Sequence, residues 1–225
     1  MSLSDKIKKI YIIHYEKLTD RKKYLDEYFE KNNIKNIEYR SLYPREKLTE
    51  EIKNNFYKLK PNIYYNNTNE INPVHICITI EHVETYKEIV NQDGNDDEWY
   101  LILEDDAIFY DNFIEKINYY LDNIPSDAEY LDINDYMGFD IYLDGKYKNE
   151  TSLWQSTNDT RTTGSYLVNK KLCKKLLKTM VPFTTTIDFE LNLQIRYHDI
   201  KIYWSRTPLI QHGSFHSYNG SSYKY

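Results

Sequence analysis

Alanine is almost missing from this chain. Among 225 residues, Ala107 and Ala128 are the only alanines, and there are just six glycines, six prolines and two cysteines. Two cysteines cannot build the disulfide framework of a small secreted domain. Cys77 and Cys173 both sit in apolar stretches of helical spacing, where a free thiol behaves as a small hydrophobe, so no disulfide is expected. No run of ~18 apolar residues exists, which excludes a membrane-spanning helix. The first residues, Met1–Lys9, are charged and lack the apolar core of a signal peptide, so the cytosol is the expected compartment. An excess of positive charge is also missing. The net charge of −6 lacks the basic footprint of a nucleic-acid binder.

What is present is skewed. Tyrosine occurs 24 times, and Ile, Asn and Lys recur throughout. Codon bias in an AT-rich genome, of a microbe or a large DNA virus, explains this better than a tyrosine-dependent function. The few glycines then weigh more, because they persist against the bias. Charged residues at 28% and hydrophobic ones at 40% fit neither a disordered nor a membrane chain. A chain of this length buries roughly 70% of its unfolded surface and needs no staples. A single domain over 1–225 is expected, with a polar excursion at about 136–153.

Ile7–His14 is a short β-branched run that predicts a buried first strand. Thr19-Asp20 offers a helix N-cap, and apolar residues at helical spacing follow to Asn32-Asn33. Ile37–Leu42 predicts a second strand, so the order is strand–helix–strand with parallel pairing. A polar surface helix is expected over Lys47–Lys58 and a loop over Pro61–Asn72. Asn72-Pro73 marks a helix start, and Ile76, Ile80, Val83, Tyr86, Ile89 and Val90 continue its stripe. Trp99–Leu103 is uniformly apolar, as in a central strand covered on both faces. Further expectations are a helix over Asn112–Asn123, a strand at Tyr130–Ile133, Arg161–Gly164 leading into a helix near Asn169–Lys178, a helix from Thr186 or Asp188, a strand at Lys201–Trp204 and a loop-like tail from Thr207. The fold class is α/β, with a Rossmann-like mixed, mainly parallel sheet flanked by helices.

The apolar run ends abruptly in Glu104-Asp105-Asp106. Ligands of open α/β sheets sit beyond the carboxyl ends of the strands, so these carboxylates would face that crevice. Oxygen ligands suit Mg²⁺ or Mn²⁺, which would offset the charge of a diphosphate. An isolated acidic triplet more often merely punctuates a strand end in solvent.

Its context points elsewhere. Trp99–Phe109 (WYLILEDDAIF) resembles the (L/I)LEDD(A/V) segment of glycosyltransferase family 25, the family of lipooligosaccharide and collagen galactosyltransferase-type enzymes. Further segments resemble that family in order: Ile10–Arg21, Ile76–Val90 around His82, Thr162–Leu177 with its Gly-x-Tyr, Thr186–Glu190, and Pro208–Ser214 with Ser221-Ser222 beyond. The resemblance implies a GT-A fold, a UDP-linked sugar donor and a divalent metal, Mn²⁺ or Mg²⁺. It implies an inverting hexosyltransferase, moving galactose or glucose to a glycan, a lipid-linked glycan or a hydroxylated protein.

On that resemblance Asp106, with Glu104, is the expected metal ligand, and Glu104 or Asp105 helps with metal or ribose. Glu104 departs from a strict Asp-x-Asp. GT-A enzymes often complete the metal site with a C-terminal histidine, which selects His212, with His216 as the fallback; a lone His near a chain end is otherwise a surface residue. Gly213 beside it would let backbone approach a phosphate. Asp188 falls in the position of the base that takes the acceptor's proton, with Glu190 as alternative; an Asp there is equally a helix N-cap. Donor contacts are expected from Ile13, His14, Tyr15, Arg21, His82, Asn134, Asp135 and Gly164. The duller roles are a surface Arg21, a core His82, and solvated turn residues at Asn134 and Asp135. Two rival functions remain: a GT-A domain that binds without catalysis, and another carboxylate-metal nucleotide enzyme. A nucleotidyltransferase would carry a Gly-rich loop after its first strand, where this chain has Tyr15-Glu16-Lys17-Leu18.

Overall fold

The computed structural model describes residues 3, 5–60, 71–135, 153–155 and 159–214. A seven-stranded sheet runs through them in the order β2-β1-β3-β7-β5-β8-β6. These are β1 (Ile7–Ile13), β2 (Ile37–Arg40), β3 (Trp99–Glu104), β5 (Tyr130–Asp132), β6 (Leu153–Gln155), β7 (Ser165–Asn169) and β8 (Ile202–Ser205). β1 pairs in parallel with β2 and β3, and β5 with β8; β7 and β6 run against their neighbours. The mixed, mainly parallel sheet matches the expected class.

β3 is as central as its composition requires. Tyr100 and Ile102 face one core cluster, while Trp99, Leu101 and Leu103 face the other. Each face of the sheet is therefore covered. α1 (Thr19–Lys31) and α4 (Phe113–Asp122) supply Leu25, Phe29, Phe113 and Ile117 to one side. α3 (Pro73–Asn91), α5 (Lys170–Leu176) and α6 (Ile187–His198) supply the other with Ile80, Leu172 and Leu191 among others. The start of α3 follows its sequence signal: Asn72 accepts from the Val74 N–H at 2.9 Å, and Pro73 takes the first turn. α2 (Glu50–Phe56) is shorter than expected because Thr49 caps it by accepting from Ile52.

Several expectations needed correction. Thr19-Asp20 does not cap α1, whose N-cap is Leu18 with no side-chain bond. The segment after Gly164 leads into the expected helix by way of a strand the sequence did not mark. It first forms β7, all five residues buried between β3 and β5. A short apolar run beside a helical stripe cannot be told from that stripe by periodicity. Asn169 then caps α5 by accepting from Leu172 at 2.9 Å. The tail is not loop throughout. β9 (Ile210–His212) pairs antiparallel with β4 (Ala107–Phe109) as a second, two-stranded sheet. Both pieces are too short to carry a pattern of their own. Of the polar excursion only Leu153 is described, and it opens β6. Cys77 and Cys173 are free and buried, as expected.

Candidate active site

Five parallel-running strands place their carboxyl ends on one edge, and the first residue of β7 arrives at the same edge. The acidic triplet lies there, and its members part ways. Glu104 ends β3, Asp105 and Asp106 form the turn, and Ala107 opens β4. The β4–β9 pairing sets Ala107 opposite His212. That register brings a residue from the far end of the chain beside Asp106. The Gly213 N–H closes the join by donating to the Asp106 carbonyl at 2.9 Å.

Glu104, Asp106 and His212 each offer one ligand atom, and these atoms lie within 4.8 Å of one another. His212 Nδ1 lies 3.1 Å from Asp106 Oδ2, and its Nε2 lies 3.9 Å from Glu104 Oε2. Asp106 Oδ2 also accepts from the Ser214 N–H at 3.0 Å and from the Ser214 hydroxyl. Its other oxygen, Oδ1, is buried without a hydrogen-bond partner among the described residues. A buried carboxylate oxygen left unmet is costly, and a hard cation would satisfy it. Two carboxylates and an imidazole also suit such an ion. The residues present therefore fit a divalent metal.

Charge in the cluster is set by these contacts. Burial works against the Asp106 carboxylate, but His212 and Ser214 outweigh it and hold the carboxyl down at about 2. Burial likewise works to lower His212, and the carboxylates facing it, Asp106 foremost, raise it above the usual imidazole value.

Asp105 turns the other way. Its Oδ2 meets His14 Nδ1 at 2.9 Å and the Tyr15 N–H at 3.1 Å, and its Oδ1 accepts from Arg21 at 2.5 Å. His14, Tyr15 and Arg21 are thereby gathered around one buried carboxylate that ties the end of β1 to the end of β3. Ile13 is buried in the core beside them. The Tyr15 hydroxyl bonds Glu46, and Arg45 lies 5.1 Å from the centre of the Tyr15 ring.

Asp188 stands in the first turn of α6. It caps nothing; the N-cap is Thr186. Its Oδ1 accepts from Thr163, by the N–H at 2.7 Å and the hydroxyl at 2.8 Å. The same hydroxyl lies 3.3 Å from Glu104 Oε1. Thr163 thus bridges the metal-type cluster and Asp188. Glu190 is committed elsewhere: it is buried, Oε2 accepts from Thr184 and Oε1 from Gln194. His82 is fully buried, with Nε2 3.7 Å from Glu104 Oε1. Asn134 is fully buried at the end of β5, bonded to Thr162 and Ser165. Asp135 accepts from the Tyr110 hydroxyl at 2.7 Å. His216 lies outside the described residues.

The glycines act at close quarters, within the protein. A Cβ on Gly213 would stand 2.6 Å from the Asp106 carbonyl oxygen, and one on Gly164 2.8 Å from His212 Cδ2. Gly213 lets β9 approach the Asp106 backbone. Thr163 and Ser214 were missed from sequence, since hydroxyls carry no motif; only their places next to Gly164 and near His212 marked them. Arg161 was missed too. It is buried against Asp132, with Nε 3.1 Å from Oδ1, and its Nη1 donates to the Ser205 carbonyl.

No helix among the described residues is long and apolar enough to cross a membrane. A search of curated proteins gives no significant match. Residues 7–191 match the family model described as glycosyltransferase family 25 (LPS biosynthesis protein). The matched span holds the acidic triplet, Thr163 and Asp188, and stops short of His212. The chain belongs to glycosyltransferase family 25 and is a glycosyltransferase.

Proposed function

We propose that this enzyme is a metal-dependent, inverting hexosyltransferase that moves galactose or glucose from a UDP-sugar to a glycan, a lipid-linked glycan or a hydroxylated protein. The observation that carries it is the cluster of Glu104, Asp106 and His212, with Asp106 Oδ1 buried and unmet at the edge where the parallel strands end. These three residues would hold Mn²⁺ or Mg²⁺. The bound cation supplies positive charge against the diphosphate of the donor and of the departing UDP.

Asp188 is the base of this reading. As the acceptor oxygen forms its bond to the anomeric carbon, the bond from that carbon to the diphosphate oxygen breaks and Asp188 takes the acceptor's proton. Thr163 occupies only Oδ1 of that carboxylate, which supports the role. Glu190, with both oxygens bonded, is the weaker candidate. Donor contacts are assigned to the surrounding edge. Ile13, His14, Tyr15 and Arg21 stand on the β1 side with Asp105, and Gly164, Asn134 and Asp135 stand on the β5 side. His82 lies behind Glu104.

The test is calorimetry of UDP and a panel of UDP-sugars with and without Mn²⁺, followed by transfer assays on glycan acceptors, in wild type and Asp106→Ala. Mn²⁺-dependent donor binding that is lost in the variant is the expected result. Absence of any donor binding, or a variant that behaves as wild type, sinks the proposal. Ligand binding without turnover and insensitive to chelator would instead favour a non-catalytic binding domain.

A further inference from the structure

A buried line of polar groups runs from the core to the acid cluster. Tyr86 Oη lies 2.7 Å from Tyr166 Oη, and Tyr166 Oη lies 2.6 Å from His82 Nδ1. All three side chains are fully enclosed. On the other side of the imidazole, Nε2 lies 3.7 Å from Glu104 Oε1 and has no hydrogen-bond partner among the described residues.

The direction of this line is fixed by its far end. Each phenol has one proton to give, and burial raises both phenols so that they keep it. The only hydrogen bond of the Tyr86 hydroxyl among the described residues is to Tyr166, so its proton goes there. The Tyr166 proton is then committed to His82 Nδ1, which must accept. A neutral imidazole accepting at Nδ1 carries its own proton on Nε2. The reverse order would strand the Tyr86 proton in the core and aim the Nε2 lone pair at a carboxylate. Both faults are costly for buried groups.

We propose that Tyr86 and Tyr166 fix His82 as its Nε2–H tautomer, and that this N–H holds Glu104 by Oε1. Glu104 Oε2, on the His212 side, is thereby left to the cation; this last step rests on the metal reading above. At 3.7 Å the contact is longer than a hydrogen bond. Glu104 is partly buried, and among the described residues the one hydroxyl near its carboxylate, that of Thr163 at 3.3 Å, lies closer to Asp188 Oδ1, at 2.8 Å. Such a hold requires the Glu104 side chain to turn toward His82 to close that gap. His82 is thus a positioning residue that acts through Glu104. Hydrogen bonds behind a ligating carboxylate commonly govern metal affinity.

Two measurements test this. Long-range ¹H–¹⁵N correlation on metal-free protein labelled in histidine reads the tautomer directly, in wild type and in Tyr166→Phe. Mn²⁺ titration then compares wild type, Tyr166→Phe, His82→Met and His82→Gln. The wild type should show Nε2–H, and Tyr166→Phe should show mixed tautomers. The Mn²⁺ Kd should weaken roughly tenfold in Tyr166→Phe and His82→Met. His82→Gln, whose amide nitrogen reaches the Nε2 position, should recover most of the loss. An Nδ1–H tautomer in wild type overturns the proposal, as does wild-type Mn²⁺ affinity in folded His82→Met. Should His82→Met not fold, Tyr166→Phe, which lacks one buried oxygen, decides between the same outcomes. A wild type that binds no Mn²⁺ removes the metal reading, while the tautomer, measured without metal, still decides the hydroxyl relay.

Discussion

Thr163 gives both its backbone N–H and its hydroxyl to a single oxygen of Asp188, Oδ1, at 2.7 and 2.8 Å. The described residues offer no hydrogen bond to Oδ2. The carboxylate is held by one oxygen, which leaves the other for the proton acceptance proposed for Asp188. Thr163→Val keeps the N–H and loses the hydroxyl. Its kcat should fall about tenfold, a fraction of what a general base contributes, while KM for the donor stays within about twofold. Thr163→Ser should restore the rate. Steady-state kinetics on the three enzymes check this, and an unchanged kcat in Thr163→Val would detach Thr163 from the chemistry.

Asp106 and His212 stabilise each other's charge, with opposite pH signatures. The Asp106 carboxyl is depressed from 3.8 to about 2 in the fold, so its contribution is complete above 3.8 and drains away as pH falls towards 2. His212 is raised above 6.5, so its contribution is complete below 6.5 and is lost as pH rises through the raised value. In chelator, the Tm difference between wild type and His212→Asn should therefore be widest from about pH 4 to 6.5 and shrink on either side. Thermal melts from about pH 2 to 9 measure it. A difference that stays constant to pH 9 would mean that the imidazole carries no charge in the fold.

What the sequence made legible followed from local chemistry. Asn72-Pro73 starts α3 because capping and proline geometry are local matters. Trp99–Leu103 is central because an uninterrupted apolar run has no solvent face to offer. The link between Asp106 and His212 was of another kind. More than a hundred residues separate them, and no spacing rule connects them; the family resemblance pointed to His212. The device that joins them, the β4–β9 pairing, spans three residues on each strand and left no periodic trace. β7 was hidden for a related reason, since its five buried residues merge with the stripe of α5. Asp105 shows the limit within a motif. Its neighbours look equivalent in sequence, yet it alone turns inward to His14, Tyr15 and Arg21.

Gly213 and Gly164 should differ in what their substitution disturbs. A Cβ at position 213 meets the backbone oxygen of Asp106 at 2.6 Å, and that oxygen is fixed by the Gly213 N–H just beyond the β4–β9 pairing, so it cannot swing aside. Gly213→Ala should therefore cost about 1–3 kcal/mol of stability and weaken Mn²⁺ binding together with it. A Cβ at position 164 meets side chains, His212 Cδ2 at 2.8 Å and Asn134 Nδ2 at 3.0 Å. Gly164→Ala should spare more of the stability and act mainly by displacing His212. Urea unfolding alongside Mn²⁺ titration separates the two cases. A Gly213→Ala protein as stable as wild type would contradict the tight approach of β9 to Asp106.

Arg161 and Asp132 form a buried pair beneath the site. Arg161 Nε donates to Asp132 Oδ1 at 3.1 Å and its backbone N–H to Oδ2 at 2.7 Å. Nη2 donates to the Asp132 carbonyl at 2.7 Å and to Ser205 Oγ at 3.1 Å, while Nη1 donates to the Ser205 carbonyl at 3.2 Å. One guanidinium thus ties the ends of β5 and β8, two residues before Thr163. Arg161→Leu leaves the Asp132 carboxylate buried and unpaired, which should cost about 3–5 kcal/mol. Arg161→Lys should not rescue it, because an ammonium lacks the planar fork that serves both strands. The double variant Arg161→Leu/Asp132→Leu should recover much of the loss, since the stranded charge is gone. Its kcat should stay low all the same: the clamp also sets the path of the segment through Thr162–Gly164, and with it the hold on Asp188. Urea unfolding and kinetics on the double-mutant cycle test both halves. A double variant that regained stability and full rate together would show that the pair supports the fold alone and has no part in placing Asp188.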